Sequence, residues 1–94
     1  MMEVINKIQD AVNKKEIEDR DRTIENMRWT IIEFSNAIRL NRQYDSEAYN
    51  HILEIYDEYE EILRANNMEN GRVTIAMDII KEKYERGMRD GFPI

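Results

Sequence analysis

The chain has 94 residues, of which 36% are charged and 41% hydrophobic, and its formal net charge is −6 at pH 7. This length predicts one domain over residues 1–94, and the negative charge disfavours direct binding of nucleic acid or of an anionic membrane surface. The chain contains no cysteine, which excludes disulfides and thiolate-bound zinc.

Helix-breaking residues are almost absent from the interior. The single proline is residue 93, and the three glycines are residues 71, 87 and 91. We therefore expect an all-α protein of three to four helices, a long N-terminal helix packed with a helical hairpin. A dimeric bundle is left open, because a chain this short buries a modest core. The first residues lack the pattern of a signal peptide and no window is apolar enough to span a membrane, so we expect a cytoplasmic protein.

The first helix is predicted to begin near Glu3. Its apolar stripe is formed by Val4, Ile5, Ile8, Ala11 and Val12. Residues 14–22 follow with four acidic and four basic side chains. This run predicts a solvated helix with Glu16–Arg20 and Glu18–Arg22 pairs, and a hinge between two helices is the alternative.

A heptad-like seam runs through the second half of this helix. Its isoleucines recur every seven residues, and Met27 and Phe34 fall between the last three: Ile17, Ile24, Ile31 and Ile38. The seam packs either within the chain or in a homodimer. Trp29 stands off this row, so it faces either a partner or the intramolecular helix pair.

The remaining helices follow two turns. Residues 40–44 form the first turn, and Asp45 or Ser46 caps the second helix. The apolar stripe of that helix is predicted at Ala48, Ile52, Ile55, Tyr59 and Ile62, flanked by Tyr49, Leu53, Tyr56 and Leu63.

The third helix is predicted after the Asn-Gly turn at residues 70–71, with Thr74 as its cap. It ends at Gly87 or Gly91. Its core positions are Ala76, Met77, Ile79, Ile80, Tyr84 and Met88, and its solvent side carries Glu82–Arg86 and Glu85–Arg89 pairs.

Negative charge is concentrated in residues 45–61, DSEAYNHILEIYDEYEE, which hold seven carboxylates and no lysine or arginine. One row follows helical spacing: Glu47, His51, Glu54, Glu58 and Glu61. Asp57 lies beside the row and Glu60 on its far flank. The predicted apolar stripe is turned away from the row by about 100°.

Three interpretations of the acidic row remain open. It is a solubilising face, a docking face for a basic surface of another protein, or part of a metal site. The metal interpretation uses His51, Glu47 and Glu54 for Zn²⁺ or Mn²⁺, and needs a further ligand from elsewhere. The docking interpretation assigns these partner-binding residues: Glu47, Glu54, Asp57, Glu58, Glu61, Trp29 and Tyr49.

Catalytic patterns are missing. The sequence has no Ser–His or Cys–His arrangement, no phosphate-cradling glycine loop and no dinucleotide fingerprint. We therefore expect a protein that is not an enzyme and that has no cofactor, apart from the metal alternative.

Residues 48–84, AYNHILEIYDEYEEILRANNMENGRVTIAMDIIKEKY, resemble the C-terminal helical region of small tailed-phage proteins of the holin-like or minor structural type. In those proteins an aromatic-rich helix leads through an Asn-Gly turn into a short final helix. The matching positions are Tyr56, Tyr59, Leu63, Asn70, Gly71, Val73 and Thr74. The phage proteins usually carry a membrane span upstream, where this chain has the charged helix 24–38.

The resemblance implies a phage or mobile-element origin, which changes the interpretation of the acidic row. Small acidic phage proteins without enzymatic motifs are frequently inhibitors of host machinery, and anti-CRISPR proteins are one such class. The expected function is inhibition of a nucleic-acid-binding nuclease complex in the host cytoplasm. A structural adaptor in a phage particle and a metal-stabilised helical bundle are the alternatives.

Overall fold

The computed structural model describes the backbone of residues 2–92 and the side chains of residues 14–92. It contains three helices: α1 (Met2–Arg39), α2 (Ser46–Ala65) and α3 (Val73–Asp90). Helix α1 packs against both α2 and α3, which contact each other less extensively. The prediction of an all-α bundle with one long helix and a hairpin is confirmed.

Helix α1 is continuous over 38 residues, so the hinge alternative is wrong. Residues 14–23 are exposed except for Arg20, which is half-buried. The expected Glu16–Arg20 and Glu18–Arg22 pairs do not form. Instead the guanidinium of Arg20 contacts Asp21 Oδ1 at 3.0 Å and donates to Asn66 Oδ1 at 3.0 Å, because the turn after α2 reaches this level of α1. The stripe predicted from Val4 to Val12 lies outside the described side chains.

The core fills the space between the three helices. Within residues 14–92 its buried hydrophobic members are Ile24, Ile31, Ile38, Tyr49, Ile52, Tyr56, Tyr59, Leu63, Val73, Ala76, Met77 and Ile80. The heptad positions from Ile24 to Ile38 are therefore buried by the same chain, and a dimer through them would require the core to open. Ile17 is 49% exposed and lies outside the core.

Helix α2 is rotated relative to the predicted orientation. Its buried residues are Tyr49, Ile52, Tyr56, Tyr59 and Leu63, whereas Ala48, Ile55 and Ile62 are half-buried. At 100° per residue the buried stripe is turned by about 60° from the predicted one. The large tyrosine rings remove more apolar area from water than alanine does. This rotation places the acidic row almost directly opposite the core.

The turns follow the predicted local chemistry in two places out of three. Asp45 caps α2, since its Oδ1 accepts a hydrogen bond from the amide of Ala48 at 2.9 Å. Gly91, with φ 87°, ends α3, and its amide donates to the carbonyl of Gly87 at 2.8 Å. Thr74 is not the cap of α3. The helix already begins at Val73, whose side chain is fully buried in the core, so Thr74 lies inside the first turn.

The solvent side of α3 carries one of its two predicted ion pairs. Arg86 contacts Glu82 at 3.2 Å, and the Glu85–Arg89 pair does not form. Met88, predicted in the core, is 64% exposed. Within residues 2–92, no helix combines the length and apolar character that crossing a membrane requires.

Candidate functional site

The carboxylates predicted as a docking face all point into solvent. From here the acidic row denotes the exposed carboxylates of Glu47, Glu54, Glu58 and Glu61 together with that of Asp57 beside them, five on α2. The first and last of these residues are fourteen positions apart, which corresponds to about 21 Å of helix at 1.5 Å per residue. The structure thus presents a negatively charged face along most of α2.

No basic side chain of the described part neutralises the acidic row. Within residues 14–92 the ion pairs join Arg20 to Asp21, Arg28 to Glu25 and Arg86 to Glu82, all on α1 or α3. Like charges at i, i+3 and i, i+4 on a helix repel by a few tenths of a kcal/mol each. The row is therefore a mildly destabilising feature of α2 that no ion pair within residues 14–92 compensates.

The predicted metal set is not assembled. Across the described side chains, no group of three or more His, Asp or Glu residues is placed to hold a metal ion. Glu47, His51 and Glu54 are all exposed on the outer face of α2, and α1 and α3 pack on the opposite face. Among the side chains of residues 14–92, none on a second helix supplies the additional ligand that a site on one helix requires.

Tyr49 does not belong to the docking face. Its side chain is 5% exposed, and its ring lies 5.3 Å from that of Phe34 and 5.5 Å from that of Phe92. Burial raises the pKa of the Tyr49 phenol, and the neighbouring Tyr44 adds to the increase. The rotation of α2 brings Tyr49 into the core, so its predicted role as a surface anchor is corrected.

Trp29 lies at a second exposed surface. It is 57% exposed and lines an open groove between α1 and α3 together with Ile75, which is 71% exposed. Arg39 and Arg72 also line this groove, and no carboxylate does. We call this surface the Trp29 groove. Ile75 was missed by sequence reasoning, although its position next to Ala76 and outside the predicted core set was a usable signal.

A polar network closes the turn between α2 and α3 and was also missed. Arg28 Nε donates to the hydroxyl of Tyr59 at 3.2 Å, and that hydroxyl donates to the carbonyl of Asn70 at 2.7 Å. Asn70 Nδ2 donates to the hydroxyl of Tyr56 at 3.1 Å. The hydrogen bond to Tyr59 is the largest cause of the raised pKa of Arg28, and desolvation by burial acts in the opposite direction. The network ties the hairpin to α1.

Replacing Tyr59 with phenylalanine is expected to lower the free energy of unfolding by about 1 kcal/mol, because the part-buried hydrogen bond from the Tyr59 hydroxyl to the carbonyl of Asn70 is lost. The matched control is Tyr84→Phe, since the Tyr84 hydroxyl makes no hydrogen bond within residues 14–92. Urea denaturation followed by circular dichroism measures the free energy of unfolding of both variants. Equal stabilities of the two variants would contradict a stabilising role for the network.

Comparisons with models of known protein families, with curated proteins and with solved structures find no match to this chain.

Proposed function

We propose that the protein is a non-enzymatic inhibitor that binds a basic, nucleic-acid-binding surface of another protein through the acidic row of α2. The observation that carries this proposal is the exposure of five carboxylates with no lysine or arginine of residues 14–92 paired to them. A complementary positive surface would offset their mutual repulsion, accelerate encounter and fix the register of binding.

The spacing of the acidic row supports a partner that normally binds a nucleic-acid strand. Five carboxylates over about 21 Å are separated by about 5 Å on average along the helix axis, against about 3.4 Å per phosphate along one strand of duplex DNA. The helix also has a rigid backbone, so its charges are positioned before binding. A channel lined with arginine and lysine would therefore find a similar linear charge density in α2.

The expected partner class is a nuclease complex of host defence, in keeping with the phage-type resemblance of residues 48–84. The protein would then act in the host cytoplasm in the manner of an anti-CRISPR protein. It would occupy the DNA-binding channel and would itself make no contact with nucleic acid, since its net charge of −6 repels phosphates.

A panel of purified RNA-guided DNA nucleases tests this function. The protein is added to each nuclease either before or after DNA, at about 50 mM and about 300 mM salt, and cleavage is measured. We expect inhibition of at least one nuclease when the protein is added first, with weaker inhibition at the higher salt because ionic strength screens exposed charges.

Two results would overturn the proposal. If no nuclease of the panel is inhibited even at low salt, the acidic row is a solubilising face. If inhibition is independent of salt and of the order of addition, it does not arise from electrostatic competition with DNA.

The second candidate function is a structural adaptor in a phage particle, and the Trp29 groove favours it. Exposed Trp29 and Ile75, flanked by Arg39 and Arg72, have the composition of an interface centre, in which tryptophan and arginine are enriched. An adaptor of this kind would bind through apolar contacts, and its affinity would depend little on the acidic row.

A further inference from the structure

A cavity of about 260 Å³ lies at the end of the bundle where α1 ends, α2 begins and α3 ends. Its wall is aromatic: the rings of Tyr44, Tyr49 and Phe92 line it. Tyr44 is stacked on Phe34 with ring centroids 4.4 Å apart, and Tyr49 lies 5.5 Å from Phe92. These contacts fix the rings from behind, so the wall is already formed without a ligand.

Gly87 is required for this arrangement. A β-carbon at this position would clash with the ring of Phe92. Glycine is one of the least favourable residues inside a helix, yet Gly87 lies within α3. The presence of glycine inside the helix is explained by the close approach of the Phe92 ring, which completes the aromatic wall.

The rim of the cavity is positively charged in a chain whose net charge is negative. Arg42, Lys83 and Arg86 line it against the single carboxylate of Asp90. Arg86 is paired with Glu82 at 3.2 Å. The guanidinium carbon Cζ of Arg42 lies 5.2 Å from the centroid of the Tyr44 ring. Within residues 14–92 the side chains of Arg42 and Lys83 have no ion pair and no hydrogen bond.

These cations do not serve the helix ends. Basic residues near helix C-termini often donate hydrogen bonds to the last main-chain carbonyls. Among residues 14–92, the only side-chain donors to main-chain carbonyls are Thr23, Thr30, Tyr59 and Asn66. The charges of Arg42 and Lys83 are therefore available to a ligand.

We propose that this cavity binds a small organic anion in which a planar ring is joined to a phosphate or carboxylate group. The ring would lie against Phe92, and the anionic group would lie between Lys83 and Arg42, whose guanidinium covers the face of Tyr44 opposite Phe34. The ligand ring would contact the aromatic wall, because aromatic side chains bind planar rings. The anionic group would contact the unpaired cations, because charged donors form strong hydrogen bonds to oxyanions. Binding here is independent of the acidic row and of the proposed inhibitory function.

Phenyl phosphate is the first probe, titrated into ¹⁵N-labelled protein while amide chemical shifts are recorded. We expect saturable shifts at Tyr44, Gly87 and Gly91 with a dissociation constant of about 1 mM or tighter. Benzyl alcohol, which has the ring alone, and inorganic phosphate, which has the charge alone, should each bind at least about tenfold more weakly. Phenylacetate then distinguishes the two anionic groups.

The double variant Arg42→Met, Lys83→Met should weaken phenyl phosphate binding at least about tenfold while its circular dichroism spectrum is unchanged. The control Arg64→Met, Arg72→Met removes the same charge at exposed positions away from the cavity and should bind as the original protein does. Should the first variant fail to fold, the ranking of the three probes on the original protein decides.

The proposal is overturned if phenyl phosphate produces no saturable shifts near the cavity, or if ring or phosphate alone binds equally well. It is also overturned if both double variants lose the same affinity, because the effect would then reflect net charge.

Discussion

Replacing Ile31 with aspartate is expected to leave the protein unfolded at 25 °C. Ile31 is 0% exposed and lies in the middle of the seam of α1 that faces the other two helices. Removing a buried isoleucine side chain to alanine already costs about 2–5 kcal/mol. Burying an unpaired carboxylate costs more again, and a small domain is stable by only about 5–15 kcal/mol. Circular dichroism at 222 nm and thermal melting measure the loss.

The same substitution at Ile75 is the matched control. Ile75 is 71% exposed and lies in the first turn of α3, where the helix macrodipole favours a carboxylate. We expect Ile75→Asp to change the free energy of unfolding by no more than about 0.5 kcal/mol. A folded Ile31→Asp protein with a melting temperature close to that of Ile75→Asp would mean that the three helices do not pack around Ile31.

The class, the start of α2 and the end of α3 were predictable because they depend on local chemistry. Asp45 caps α2 and Gly91 ends α3 through hydrogen bonds within a few residues. The seam through Ile24, Ile31 and Ile38 was predictable because a seven-residue repeat marks one face of a helix.

The orientation of α2 was not predictable from its own sequence. Apolar side chains cover more than half of its circumference, so two stripes about 60° apart were both plausible by helical spacing. Which stripe is buried depends on the side chains that α1 and α3 bring to it. Tyr49 and Tyr56 are buried more deeply than Ala48 and Ile55 because they contact aromatic and aliphatic side chains across the bundle. Tyr49 is therefore a core residue and not the surface anchor that the sequence predicted.

The position of the charged residues in the candidate site was predictable from the sequence, whereas the contacts between residues of different helices were not. The acidic row follows from helical spacing alone. The Arg28–Tyr59–Asn70 network joins residues 31 and 11 positions apart, and the cavity near Gly87 combines residues of three helices. Such contacts depend on tertiary packing, which residue spacing in one sequence does not encode.

Reversing three charges of the acidic row, Glu54→Lys, Glu58→Lys and Glu61→Lys, should weaken binding to the inhibited nuclease at least about 100-fold at low salt. Close charge pairs across an interface contribute about 1.5–7 kcal/mol each in measured cases, and a 100-fold loss corresponds to about 2.7 kcal/mol. All three side chains are exposed and unpaired within residues 14–92. The melting temperature should therefore not fall. Titration calorimetry and differential scanning calorimetry measure the two effects.

The effect of net charge on binding must be separated from the effect of where the charges lie. A second triple variant provides this control. Glu69→Lys, Asp78→Lys and Glu85→Lys also replace three exposed carboxylates outside the row. Each reversal adds two charges, so both triple variants move the formal net charge from −6 to zero. If binding depends on the acidic row, only the first variant loses it. Equal losses would indicate nonspecific attraction between opposite net charges, and an interaction abolished by Trp29→Ala but retained by both triple variants would identify the Trp29 groove as the working surface.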